Sequence, residues 1–286
     1  MDVPSYLREV VTHLAHKIGS RPWDAPARLE QTVRYISGQF AAFGYTVTTQ
    51  PFLCDGTAYN NVIAELPGKD KPERILIVGA HYDTVDTTPG ADDNASGIAG
   101  VLALARELAQ RPLGATVRFV AFALEEPPFY RSSNMGSYRY AESLSEKGER
   151  IQGMICLEMI GYFCDEPGCQ TYPLPFMNLK FPKTGDYISL LGNLGSKELT
   201  EAVAQGFRAG TDLPVITLNA PPVVIGIDFS DHWSFYQFGY PALMVTDTAF
   251  YRNPHYHAPT DLPQTLDYEK MAKVVQGLKA AMEKIA

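Results

Sequence analysis

The run Ile75-Leu76-Ile77-Val78-Gly79-Ala80 is apolar at every position. A strand wetted on one face alternates polar and apolar residues, so an unbroken apolar strand must be covered on both faces, as inside a helix-flanked parallel sheet. Residues 116–124 form a second such run and residues 151–160 a third. Helical patterns lie between them. Residues 27–43 carry Leu29, Val33, Ile36 and Phe40 at three- and four-residue spacings, and a helix opening at Asn94 or Ser96 and running to Arg111 puts Ile98, Leu102, Ala105 and Leu108 on one face. Further strands are predicted at 45–50, 61–66, 186–191, 215–218 and 242–246, and further helices at 6–18, 135–146, 197–209, 231–238 and 267–285. The alternation predicts a single α/β domain over residues 1–286, three-layered, with a central mixed, mostly parallel sheet between helices. Residues 161–184, rich in Pro, Gly and aromatics and without periodicity, read as a long loop near a functional face. Cys164 and Cys169 flank a turn inside it, which leaves a bond and two free thiols equally open.

Composition narrows the partners. A formal charge of −8, with no basic run, excludes the electrostatic footprint of a nucleic-acid binder. No apolar stretch approaches the roughly 20 residues of a membrane span. Met1-Asp2-Val3-Pro4 lacks the charged and apolar regions of a secretory leader, so the chain as written reads as cytoplasmic, with an exported mature form left open. The oligomeric state has no signature here. A peptide or small aminoacyl substrate is the expected partner.

Four clusters carry the chemistry. In His81-Tyr82-Asp83 the imidazole and the carboxylate share a face of the strand end, so Asp83 could fix the tautomer of a metal-bound His81. Asp92-Asp93-Asn94 follows Gly90; turns and caps explain one such residue more easily than the whole run. Glu125-Glu126 ends the apolar run 119–124, and in an open α/β sheet the carboxyl ends of strands line the ligand crevice. Glu158 stands inside the apolar run Met154-Ile155-Cys156-Leu157-Glu158-Met159-Ile160, where a lone buried charge costs several kcal/mol and needs a partner. In Asn253-Pro254-His255-Tyr256-His257 either histidine could serve as a ligand. Two histidines, His81 and His257, with three carboxylates, Asp92, Glu126 and Glu158, suit two dications plus one hydroxide. That leaves Glu125 as the natural general base. Mixed imidazole and carboxylate donors suit zinc, with manganese and cobalt as alternatives.

With those residues in view, the chain resembles a known family. Gly79-Ala80-His81-Tyr82-Asp83, the run Gly90 to Gly97, Ala123-Leu124-Glu125-Glu126, Leu157-Glu158-Met159-Ile160-Gly161, Ser230-Asp231-His232-Trp233-Ser234-Phe235 and Tyr256-His257-Ala258-Pro259-Thr260-Asp261 look like the M28 zinc-dependent exopeptidases, which include bacterial leucyl-type aminopeptidases. The resemblance implies two zinc ions per chain bridged by Asp92, with His81 and Glu158 completing one site and Glu126 and His257 the other. It implies that Glu125 is the base, that Asp83 orients His81, and that the Asp92–Asp93 peptide is cis. Tyr256, beside His257, is a candidate donor to the oxyanion. Two departures stand out: Glu158 occupies a position where the family often has Asp, and Pro127-Pro128-Phe129-Tyr130-Arg131 replaces a Gly-rich turn. The expected activity is hydrolysis at peptide N-termini. A glutaminyl cyclase-like transferase with a single zinc is the alternative on the same fold, and a non-catalytic binding domain is a third reading, one that would be expected to have lost ligands.

Overall fold

In a computed structural model of the protein, which describes residues 1–286, Lys71–His81 (β3) lies inside a sheet covered on both faces. Its side chains alternate as a strand's must: Leu76, Val78 and Ala80 enter one apolar core, Ile75 and Ile77 the other. Gly79 has no room for a side chain, since a Cβ there would come within 2.4 Å of the Phe122 ring. The remaining strands are β1 (Val47–Cys54), β2 (Thr57–Leu66), β4 (Ala115–Phe122), β5 (Arg150–Leu157), β6 (Ile188–Gly192), β7 (Val215–Asn219) and β8 (Ala242–Thr246). They join in the order β1-β2-β4-β3-β5-β8-β6-β7. β4, β3, β5 and β8 are mutually parallel neighbours, so their carboxyl ends open onto one edge; β2 and β6 run antiparallel to the strands beside them in this set.

The helices are α1 (Val3–Thr12, continued by wider turns to Ile18), α2 (Pro26–Ala42), α3 (Gly97–Leu108), α4 (Gly136–Glu146), α5 (Lys197–Gly210), α6 (His232–Gln237) and α7 (Tyr268–Ile285). α1, α3 and α7 pack together on one face through the larger core, while Tyr140, Ala141 and Leu144 of α4 and Phe235 of α6 cover the other face. The predicted single three-layer α/β architecture is therefore the observed one. No helix is long and apolar enough to cross a membrane.

Two strands stop short of their apolar runs, and both stop at the site. β4 ends at Phe122 because Ala123 N–H turns to the Asn61 carboxamide (3.1 Å) and Leu124 adopts φ +61°. β5 ends at Leu157 because, after a last bond from Glu158 N–H to the Val245 carbonyl (2.9 Å), the amides leave the ladder: Met159 N–H donates to Asn94 Oδ1 (3.1 Å) and Ile160 N–H to Ser96 Oγ (2.9 Å). Apolar residues past a strand end look like more strand when only hydrophobicity is read. In the long loop, Cys164 and Cys169 are bonded.

Candidate metal centre

Each chemical side chain arrives from the carboxyl end of a parallel strand. His81 closes β3, Glu125 and Glu126 follow β4, Glu158 follows β5, His257 lies in the loop after β8, and Asp93 sits in the turn that enters α3. Leu124, Met159 and His257 all have positive φ (+61°, +50°, +54°). Non-glycine residues held there store strain of about 1–3 kcal/mol each, tolerated where the surroundings fix them, and here all three are at or within two residues of a donor.

The donors form two sets that share one carboxylate. Asp93 Oδ1 is 3.4 Å from His81 Nε2, which is 3.2 Å from Glu158 Oε2. Asp93 Oδ2 is 3.1 Å from His257 Nε2, which is 3.3 Å from Glu126 Oε2. His81–Asp93–Glu158 and Asp93–Glu126–His257 are thus two clusters able to hold a metal ion each, with Asp93 in both. Donors about 2.1 Å from a tetrahedral ion stand about 3.4 Å apart, so these separations fit zinc. The electrostatics fit as well. Both nitrogens of the buried His81 and Glu126 Oε1 have no hydrogen-bond partner. Burial and the neighbouring Asp93 push Glu126 up to about 7, and burial with crowding by Glu126 and Glu158 raises Glu125 well above the carboxylate range against the pull of His81. Burial works against protonating His257, but Asp93 and Glu126 lift it to about 10. Carboxylates that raise one another in this way want cations between them.

This geometry corrects the expected bridge. Asp92 belongs to neither set: its Oδ1 accepts from Gly161 N–H (2.9 Å) and its Oδ2 from the Asn253 carboxamide (2.7 Å). Burial and the facing Asp247 carboxylate raise its pKa well above the ordinary range, and both of its oxygens are occupied as acceptors. The shared position falls to Asp93, where the backbone leaves helical geometry (φ −102°, ψ 93°) and turns the side chain into the crevice. The cis peptide is likewise one residue later, at Asp93–Asn94. His81, Glu126, Glu158 and His257 are brought together; His255 is not, its Nδ1 facing Thr260 Oγ1 at 2.9 Å.

Asp83 does more than face His81. Its Oδ1 lies 3.4 Å from His81 Nδ1, and its two oxygens accept from the Glu125 and Glu126 amides at 3.1 Å each. Asp261, quoted within a motif but given no role, makes the same grip on the Asp92 (2.9 Å) and Asp93 (3.1 Å) amides. Glu158 Oε2 accepts from Ser230 Oγ at 2.6 Å and from Asn94 Nδ2 at 3.3 Å, which steadies the longer arm. Sequence reasoning missed Arg21 altogether. Fully buried, its guanidinium donates to the carbonyls of Leu14, Gly19, Tyr82, Pro89 and Gly90 at 2.7–3.1 Å and so ties both ends of the 82–90 loop to the chain after α1. A lone arginine in a Gly-Ser-Arg-Pro turn gives no pattern to read.

A cavity of about 250 Å³ opens from the donor sets. Asp93, Glu125, Glu126, Glu158 and His257 line one part; Phe181, Tyr187, Phe229, Met244 and Phe250 are among the apolar walls. Glu125 lies in neither donor set, its Oε2 3.9 Å from His81 Nε2. Tyr256 lines the cavity with its ring stacked on His257 (centroids 3.8 Å apart).

Comparison with known proteins shows the family and the fold. The chain is 42% identical over 283 residues to the uncharacterized protein YfbL of Escherichia coli K12, covering 96% of this chain and 86% of that protein. It is 28% identical to leucine aminopeptidase 1 of Trichophyton equinum across 79% of this chain, but it spans only 58% of that enzyme's length. Its fold superposes on a zinc aminopeptidase from Bacillus subtilis with a TM-score of 0.78 at 17% identity, covering 97% and 94% of the two chains. A glutaminyl cyclase from Bacteroides thetaiotaomicron shares the fold too (TM-score 0.72, 17% identity, 98% and 97% covered). The family model described as peptidase family M28 matches residues 61–282, which take in every donor and both glutamates of the pair, and on that match the chain belongs to peptidase family M28 and is a hydrolase.

Proposed function

We propose that the protein is a dinuclear zinc aminopeptidase that removes large apolar residues from peptide N-termini. One observation carries the reading: Asp93 presents one oxygen to each of two histidine–glutamate pairs, with a third glutamate beside them and outside both. Bound there, two zinc ions would supply Lewis acidity for the scissile carbonyl and for activation of water. Glu125 takes the water's proton and hands it to the leaving amine. It is suited to this because burial keeps its carboxyl basic and because Asp83 grips its amide, fixing the main chain from which it projects. Tyr256, which lines the cavity with its ring stacked on His257, donates to the developing oxyanion. The apolar walls take the first side chain, and the surplus carboxylate charge favours a free ammonium over a blocked terminus.

Metal analysis and an aminoacyl substrate panel test this directly. Glu125→Gln should retain both metals and lose about 10²–10⁴-fold in kcat; full activity in that variant removes Glu125 from its role. The paired donor sets favour hydrolysis over the cyclase reading. Metal near one per chain, together with cyclisation of an N-terminal glutamine, would reverse that preference.

A further inference from the structure

The segment that departs from the family pattern, residues 127–134, carries a group that the mechanism above does not use. Tyr130 lines the same cavity as Glu125, Glu158 and His257. Its hydroxyl oxygen is shielded from solvent and has no hydrogen-bond partner in the protein. A buried hydroxyl left unpaired is unfavourable by about 1–3 kcal/mol, so it persists where something else supplies the partner. Its place is set by its neighbours in the chain. Phe129 is buried edge-on against Trp23 (5.5 Å), and Arg131 bonds Asp228 (2.9 Å) and lies over the rings of Phe229 and Trp233. Between these anchors the Tyr130 ring stands edge-to-face on Phe229 at 5.9 Å, part of the cavity wall.

The surroundings identify the missing partner. Tyr130 shares its cavity with the carboxylates of Asp93, Glu125, Glu126 and Glu158. With no protein donor on it, the phenol oxygen keeps its lone pairs free for a donor that enters this acid-lined cavity. A cationic donor suits a wall of that charge, and an ammonium has three N–H groups to share between the phenol and a carboxylate.

We infer that Tyr130 is a substrate-binding residue whose phenol oxygen accepts a hydrogen bond from the N-terminal ammonium while its ring lines the side-chain pocket. This rests on the aminopeptidase reading for the identity of the substrate, and binding can test it apart from turnover. Zinc-loaded wild type, Tyr130→Phe and Tyr130→Ala would be titrated by calorimetry with L-phenylalaninol and with 3-phenylpropan-1-ol, which lacks only the amine. Tyr130→Phe should weaken phenylalaninol about tenfold or more and leave 3-phenylpropan-1-ol within twofold; Tyr130→Ala, having lost the wall, should weaken both. With an aminoacyl anilide the Tyr130→Phe loss should fall on KM more than on kcat. Unchanged phenylalaninol affinity in Tyr130→Phe, or equal weakening of both ligands, overturns the inference. Wild type that binds phenylalaninol in this Tyr130-dependent way yet releases no amino acid would overturn the peptidase reading while bearing out the role of Tyr130.

Discussion

Adjacent aspartates with different work can be separated by one pair of isosteric changes. Asp93→Asn keeps the shape of the shared ligand but removes its charge, and each Asp93 oxygen stands 3.1–3.4 Å from the histidine of its own set. Both ions lose an anionic donor at once. Loss of a mere supporting partner of a ligand weakens metal binding about 10–100-fold, so loss of the shared ligand should reach at least about 100-fold for each ion, or roughly 2.7 kcal/mol. Dialysed Asp93→Asn should then hold well under one metal per chain where wild type is expected to hold two, and kcat/KM should fall by more than about 10³. Asp92→Asn should behave oppositely. Its new NH₂ must face either the Gly161 amide at 2.9 Å or the Asn253 carboxamide at 2.7 Å, both donors, and Asn253 cannot turn over because its Oδ1 already takes the His255 amide. One broken buried hydrogen bond should cost about 1–3 kcal/mol of stability with both metals kept. Plasma emission spectrometry of dialysed protein and urea unfolding read the two effects separately. Metal lost from Asp92→Asn and retained in Asp93→Asn would refute the assignment of the shared ligand.

Three further outcomes are expected. Arg21→Met leaves five backbone carbonyls without their donor in the interior and should destabilise the fold by at least about 3 kcal/mol in urea titration, with weakened metal binding because the 82–90 loop is released. Chelation should lower the melting temperature, since ions present at 100 times their Kd contribute about 2.7 kcal/mol each, and zinc should restore it. Burial lowers the His232 pKa to about 4, below the ordinary 6.5, so the folded state takes up its proton later than the unfolded one; stability from this residue is complete above pH 6.5 and is lost as pH falls toward 4, on the order of 3 kcal/mol in total. A His232→Gln variant should show a correspondingly shallower loss between those pH values in urea titrations.

Most of the fold was legible because its signals are local. The β8 run 242–246 and the helices at 197–210 and 268–285 follow from apolar periodicity, and their observed bounds lie within a residue of it. The errors at the ends of β4 and β5 have one cause. Asn61, Asn94 and Ser96 draw the next backbone amides out of the ladder, and they lie far along the chain from the residues they capture. Nothing in the local pattern at Leu124 or Met159 announces that capture. The cavity wall was legible only as a class: aromatics in the long loop were expected near a functional face, and Tyr172 and Phe181 line the cavity, but their neighbours Phe229 and Phe250 come from other loops.

The donor set was legible by residue type and failed by one position, for a physical reason. Asp83, Asp92, Asp93 and Asp261 are all buried, and a sequence offers each as a ligand. A carboxylate has two ways to satisfy itself in the interior, by a cation or by N–H donors, and residue type does not choose between them. Asp83 and Asp261 each take two consecutive main-chain amides, those of Glu125–Glu126 and Asp92–Asp93, and so hold the backbones from which the candidate ligands Glu126 and Asp93 project. Asp92 takes one amide and one carboxamide. Asp93 alone of the four has oxygens that face only the histidines of the two donor sets. The four separate only after the donors are counted around each, and a linear sequence does not contain that count, because Gly161, Asn253 and Asp261 are 68 or more residues from the turn they complete. Two carboxylates grip the backbone so that a third can face both donor sets, which is why the shared position of Asp93 is better read as a product of Asp83 and Asp261 than of the Asp-Asp pair in which it occurs.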